Sequence, residues 1–205
     1  PTSIDLVAES SQAGALGSVG AAYFAPLKIQ EFVDQVRAKT TKPFAINLFV
    51  SHPEPKVAPA SLKKALAATN KYRREMGIPD PQLAPPYEED FDAQFAKVIE
   101  LKPAALSFVF GLPDQPHLKE ARRNNILLVG TATSYEEAQA LEAAGVDAIT
   151  LQGIEAGGHR GVFGAEAKDP EIKALDLLRQ CFEKIRIPLI AAGGIMTREQ
   201  IRVAL

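Results

Sequence analysis

The chain has 205 residues, 46% of them hydrophobic and 23% charged, a balance that excludes disorder and fibrous repeats and suits one domain with its own core. Its 23 Lys and Arg against 25 Asp and Glu leave a net charge of −2, so no basic field points to nucleic acid or anionic lipid. No apolar run approaches the ~18 residues needed to cross a bilayer as a helix.

The chain opens at Pro1-Thr2-Ser3 without a Met or a charged-then-apolar leader, so no signal peptide is expected and the start reads as processed or incomplete. Ser3 is placed to cap a helix over 4–13. Residues 16–20 read as a short strand, and Pro26 opens a helix over 27–39 with Ile29, Phe32, Val33 and Val36 on one stripe. A strand follows at 44–50. Residues 51–89 then break the rhythm, holding seven of the 15 prolines around a helix at about 60–76 whose Lys71–Glu75 face is solvated. This reads as an insertion after a strand, packed over one end of the fold as a lid or pocket segment. Next come a helix over 90–101, a strand over 104–110, a weaker helix over 115–124 and a strand over 126–130. The helix over 134–144 starts at Ser134-Tyr-Glu-Glu137, a capping-box spacing, and stops at Gly145. A strand at 148–152, a helix at 171–185, a strand at 188–192 and a helix at 197–205 capped by Thr197 complete the order. The single cysteine, Cys181, sits on an apolar helical stripe, cannot form an internal disulfide, and fits a reducing, cytoplasmic setting.

Most of these strands are nearly continuously apolar, which predicts parallel strands covered on both faces. Repeated β-α units give a doubly wound sheet or a barrel. Six strands with an unpaired helix at each end read as a TIM (β/α)8-type barrel lacking its first and last strands; a complete open sheet of six strands is the alternative.

Half of the 14 glycines fall at the ends of two strands. Gly153, Gly157, Gly158, Gly161 and Gly164 surround His159 after the fifth strand, where an imidazole can transfer a proton or donate to a developing anion. Gly193 and Gly194 follow the sixth, and small residues before a helix start make a phosphate cradle. Asn47 and Gln152 are amides on apolar strands, pointing to a ligand ring or satisfying neighbouring loops. Glu155 is a base or a loop brace. His52 and His117 are expected at the surface. The scattered histidines predict no metal site.

On these residues the chain resembles the nitronate monooxygenases, FMN-dependent TIM-barrel oxidoreductases. Ala13-Gly-Ala-Leu-Gly17-Ser-Val-Gly20, Pro43 to Phe49, Ser107 to Pro113, Gln152 to Gly161 and Ala191-Ala-Gly-Gly-Ile195 carry the likeness, the fourth being most specific. The resemblance implies that Asn47 and Gln152 bind the flavin ring system. It also implies that Gly157 and its neighbour Gly158 contact FMN, that Gly193 or Gly194 meets the phosphate, and that His159 meets the nitronate. It places a first strand before Pro1 and an eighth after Leu205. The implied activity is oxidation of nitronates, or nitroalkanes, by O2 to a carbonyl compound and nitrite; separately from the resemblance, a homodimer is the expected assembly. An FMN-dependent enoyl-ACP reductase-like oxidoreductase remains an alternative; that family usually has an aliphatic residue where this chain has Arg160. A non-redox phosphate-binding barrel and an inactive barrel fragment are further alternatives.

Overall fold

The apolar runs form six strands: β1 (Gly17–Gly20), β2 (Phe44–Phe49), β3 (Ala105–Val109), β4 (Leu127–Ala132), β5 (Ala148–Gln152) and β6 (Leu189–Ala192). They make one sheet in the order β1-β2-β3-β4-β5-β6, and every neighbouring pair is parallel. Between and around them lie α1 (Ile4–Gln12), α2 (Pro26–Lys39), α3 (Pro59–Glu75), α4 (Phe91–Leu101), α5 (Gln115–Arg123), α6 (Tyr135–Ala144), α7 (Ala174–Phe182) and α8 (Arg198–Ala204). This computed structural model describes residues 2–52, 57–79, 81, 87–164 and 167–205.

Local chemistry sets most helix starts. The Ser3 hydroxyl accepts from Leu6 N–H at 3.1 Å, and Asp90 does the same for Ala93 at 3.1 Å. Thr197 and Gln200 form a reciprocal box at α8. The box expected at α6 is only half made. Ser134 accepts from Glu137 N–H at 3.2 Å, but the Glu137 carboxylate turns instead to the backbone and hydroxyl of Thr133.

Helices cover one face of the sheet. Ile46, Leu48, Leu106, Phe108, Leu128, Ile149 and Leu151 point into that layer and are fully buried. The opposite face carries Asn47, Ser107, Val129 and Ala148 in register, and its Leu127 and Ile190 are 54% and 47% exposed. The expectation of strands covered on both faces therefore holds for one face only; among the described residues β1 and β6 are edges, and the inner face stays partly open. Cys181 is buried in the helical layer, where desolvation pushes its thiol up to about 11.

Two polar features tie the layers together. Gln94 of α4 is 2% exposed, and its side-chain amide donates to the carbonyls of Ala21, Ala22 and Phe24, at 3.2, 3.2 and 2.8 Å. His117, expected at the surface, is half-buried there among polar and aromatic partners. Its ring lies edge-on to Phe95 at 4.5 Å and between the carboxylates of Asp92 and Asp114. From that position it bridges α4 and α5.

Residues 52–88 form a compact unit of their own. The expected helix is there as α3, with no buried residue and an exposed Lys71–Glu75 pair at 4.0 Å. The proline-rich arms expected on either side include Pro53, Pro55, Pro85 and Pro86, which lie outside the described residues.

Gln94→Leu removes the side-chain donor from three loop carbonyls, of which Ala21 keeps the Phe24 N–H at 2.9 Å. It is expected to lower stability by about 1–3 kcal/mol, read from urea unfolding.

Candidate functional site

Parallel pairing puts the C-terminal ends of all the strands on one edge, where the connecting loops gather. At that edge β5 ends in Gln152 and runs into the glycine-rich loop. The Gln152 side chain grips this loop twice: its Nε2 donates to the His159 carbonyl at 3.0 Å, and its Oε1 accepts from Gly161 N–H at 2.7 Å. Arg160 closes the turn from the other side. Its guanidinium donates to the carbonyls of Gln152 (3.1 Å) and Gly153 (2.7 Å), to Gln152 Oε1 (3.2 Å), and in a fork to Asp169 (2.7 and 3.1 Å). The paired Arg160 guanidinium holds the Asp169 carboxyl below its ordinary value.

Further ties fix the loop's two ends. Glu155 accepts from Ala174 N–H at 2.9 Å and so supplies the cap that Lys173 cannot give α7. Glu155 is thus a loop brace. Glu137 accepts from Phe163 N–H at 2.7 Å while holding Thr133, joining the loop to the end of β4.

The second glycine pair packs against the first loop. Gly193 and Gly194 have φ of +118° and +65°, and a Cβ would come within 2.8 Å of the Ala156 nitrogen or 2.7 Å of Glu155 Cβ. Glycine is required there by the fold itself. Gly157 differs: its φ lies outside the left-handed region, and nothing stands within 4 Å of where a Cβ would lie. The protein alone gives no reason for a glycine at 157.

On the inner face Asn47 donates to the Ser107 hydroxyl at 2.9 Å across the β2–β3 register. One amide hydrogen and the carbonyl oxygen of Asn47 remain for another partner; Gln152 likewise keeps one hydrogen. The exposed His159 ring stands edge-on to Phe110, 6.3 Å away. Among the described residues no group of His, Cys, Asp and Glu could hold a metal ion, and no helix is long and apolar enough to cross a membrane.

Asn47, Gln152, His159 and both glycine pairs thus lie at or lead into one strand edge. Asp169, Glu137, Ser107 and Phe110 are added by the structure. Ser107 and Phe110 lie in a segment that carries the family likeness but gave no role, and the signal at Glu137 pointed to a cap. Asp169 is an ordinary charged loop residue until Arg160 folds onto it.

A parallel β/α sheet with sequential strand order and glycine-rich loops at its C-terminal edge is the arrangement of barrel-type ligand-binding enzymes. The nitronate monooxygenase family model matches residues 1–205, and the chain belongs to that family. It is 40% identical over 198 residues to a probable nitronate monooxygenase of Staphylococcus saprophyticus, covering 95% of this chain and 55% of that protein. A counterpart from Staphylococcus aureus is 37% identical, again over 95% and 55%. The chain spans about half the length of these curated relatives. Among solved structures, nitroalkane oxidase from Streptomyces ansochromogenes superposes with a TM-score of 0.88 at 33% identity, over 98% of this chain and 58% of that one. FabK from Thermotoga maritima gives 0.68 at 25%, over 98% and 50%. The six-stranded half-barrel is consistent with part of a TIM barrel.

The depressed Asp169 carboxyl means that the folded loop binds fewer protons than the unfolded chain in the acid range. Its contribution is complete above the ordinary carboxylate value of 3.8 and disappears as pH falls through the lower folded value. Exchange protection at the Gly161 amide is expected to be full at neutral pH and to fall in strong acid. Asp169→Asn should show the reduced protection already at pH 7.

Proposed function

We propose that the protein carrying this chain oxidises alkyl nitronates, and nitroalkanes more widely, with FMN and O2, yielding a carbonyl compound and nitrite. The observation that carries this reading is the strand edge itself. Two half-engaged inward amides, a braced loop presenting an exposed His159, and a glycine at 157 that the protein's own packing does not require converge there. Membership in the family and the likeness to a nitroalkane oxidase support it.

The residues present fit a flavin nucleotide. Asn47 and Gln152 offer their remaining amide hydrogens toward the ring system, and Asn47 also its carbonyl. Gly157 and Gly158 let backbone approach the cofactor. Gly193 and Gly194 stand toward the phosphate; the N–H groups of Met196 and Thr197 are already taken by Gln200, at 2.8 and 3.0 Å, so the cradle would rest on the amides before them. When bound, the flavin supplies the redox chemistry. His159 orients the nitronate by donating to its anionic oxygen, and in its neutral form it can accept the α-proton of a nitroalkane. Gln152 and Arg160 hold the His159 backbone, which fixes where the ring can reach.

On this reading the six strands are the second to seventh of an eight-stranded barrel, residues 52–88 are an insertion after the third, and the assembly is a homodimer. An enoyl-ACP reductase-like activity is the second reading, favoured by the FabK likeness at 25% identity. It is the weaker one, because the nitroalkane oxidase superposes better and Arg160 is built into the loop.

The purified protein is expected to be yellow, with FMN released on denaturation. Gly157→Ala is expected to weaken FMN binding about tenfold with little change in apo-protein stability, measured by flavin titration and thermal melting. Gly194→Asp would test less, since the φ of +65° and the contact with Glu155 would strain the fold directly. His159→Asn should retain FMN. Loss of nitroalkane turnover with nitronate turnover largely spared identifies a base; loss of both identifies an orienting donor. Unchanged kinetics on both would remove His159 from the chemistry.

A further inference from the structure

Alternation along β2 puts Phe49 on the same face as Asn47, two residues earlier. Along β3 it would send Phe110 the other way, since Phe108 is fully buried under the helices. Phe110 escapes this because its backbone is left-handed, at φ +73°, an unfavourable conformation for a residue with a Cβ. Its ring instead meets Phe49 edge-on, with centroids 4.7 Å apart and an interplanar angle of 71°, and faces His159 at 6.3 Å and 89°. Phe49 in turn meets Tyr23 at 5.5 Å and 83°. Tyr23 is 70% exposed, yet its loop is pinned by the buried Gln94 amide. A continuous aromatic rank thus runs across the mouth from Tyr23 to His159. The core does not explain it: one member is mostly exposed and another is held in strain.

We propose that Tyr23, Phe49 and Phe110 are specificity-determining residues that select nitronates bearing an aryl or extended apolar substituent, with the charged end of the substrate at His159. This rests on the nitronate reading above. Phe49 and Phe110 are only partly buried and Tyr23 is largely exposed, so the three rings present apolar surface to a further apolar group, and none of the three carries a charge at neutral pH to penalise one. The ligand that fits is a planar anion at the His159 end with an apolar tail lying along Phe110, then Phe49, then Tyr23.

Carboxylates are planar, non-oxidisable mimics of nitronates, so binding can be measured apart from turnover. Propanoate, phenylacetate and 4-phenylbutanoate are titrated calorimetrically into the flavin-loaded protein, and kcat/KM is measured for nitronates of matching length. Phenylacetate is expected to bind at least about tenfold tighter than propanoate. Phe110→Leu should cut that preference about fivefold or more for both aromatic ligands. Tyr23→Ala, at an exposed position, should cut it for 4-phenylbutanoate only. A wild-type protein that does not discriminate, or preferences unchanged in both variants, overturns the proposal. So does a loss of bound flavin in place of lost discrimination, which would give the rank to the cofactor. Discrimination among carboxylates by a yellow protein that turns over no nitronate would leave the rank standing and remove the nitronate reading.

Discussion

The amide of Gln152 is the interaction on which the rest of the strand edge depends. A loop as rich in glycine as 153–164 has little intrinsic preference for any one conformation, and ordering it costs backbone entropy. Gln152 offsets that cost from within the strand that launches the loop, accepting from Gly161 and donating to His159. Arg160 then adds a charge-assisted bracket whose other end is Asp169. The position of His159 is therefore set by hydrogen bonds to its own backbone and its neighbours', while its ring is left exposed. An amide suits this task because it donates and accepts at once and does not titrate.

The ends of the loop are held by different means. Glu155 reaches the start of α7, and Glu137 reaches Phe163 from the first turn of α6. Gly193 and Gly194 let the β6 loop close on Ala156 and Glu155. The two glycine-rich segments support each other, so a site proposed on one cannot be altered without regard to the other.

Much of this was legible in the residues. The apolar runs and caps located every strand and helix to within a few residues, because buried parallel strands and capped amphipathic helices leave strong local patterns. The helix expected over 171–185 is shorter at both ends. Glu171 adopts φ +53°, which is not helical, and the cap at Ala174 comes from Glu155 in the preceding loop rather than from a neighbouring residue. The C-terminal strand ends pointed to Asn47, Gln152, His159 and the glycines, but not to what their polar atoms do. The Asn47–Ser107 bond, the Asp169 fork and the Asp92–His117 contact arise from folding rather than from local pattern, two of the three between segments far apart in sequence. No periodicity encodes them. The open inner face escaped for a related reason: an apolar run shows that a strand can be covered, not which of its faces is.

Gln94 holds the 21–24 loop by its carbonyls alone. Main-chain oxygens are present whatever side chains the loop carries, so the grip is indifferent to the identity of the residue at Tyr23. The loop is in this respect a fixed socket with an exchangeable fitting. If the proposed rank selects substrate, its preference can drift by single substitutions at this rim without reopening the question of how the chain folds.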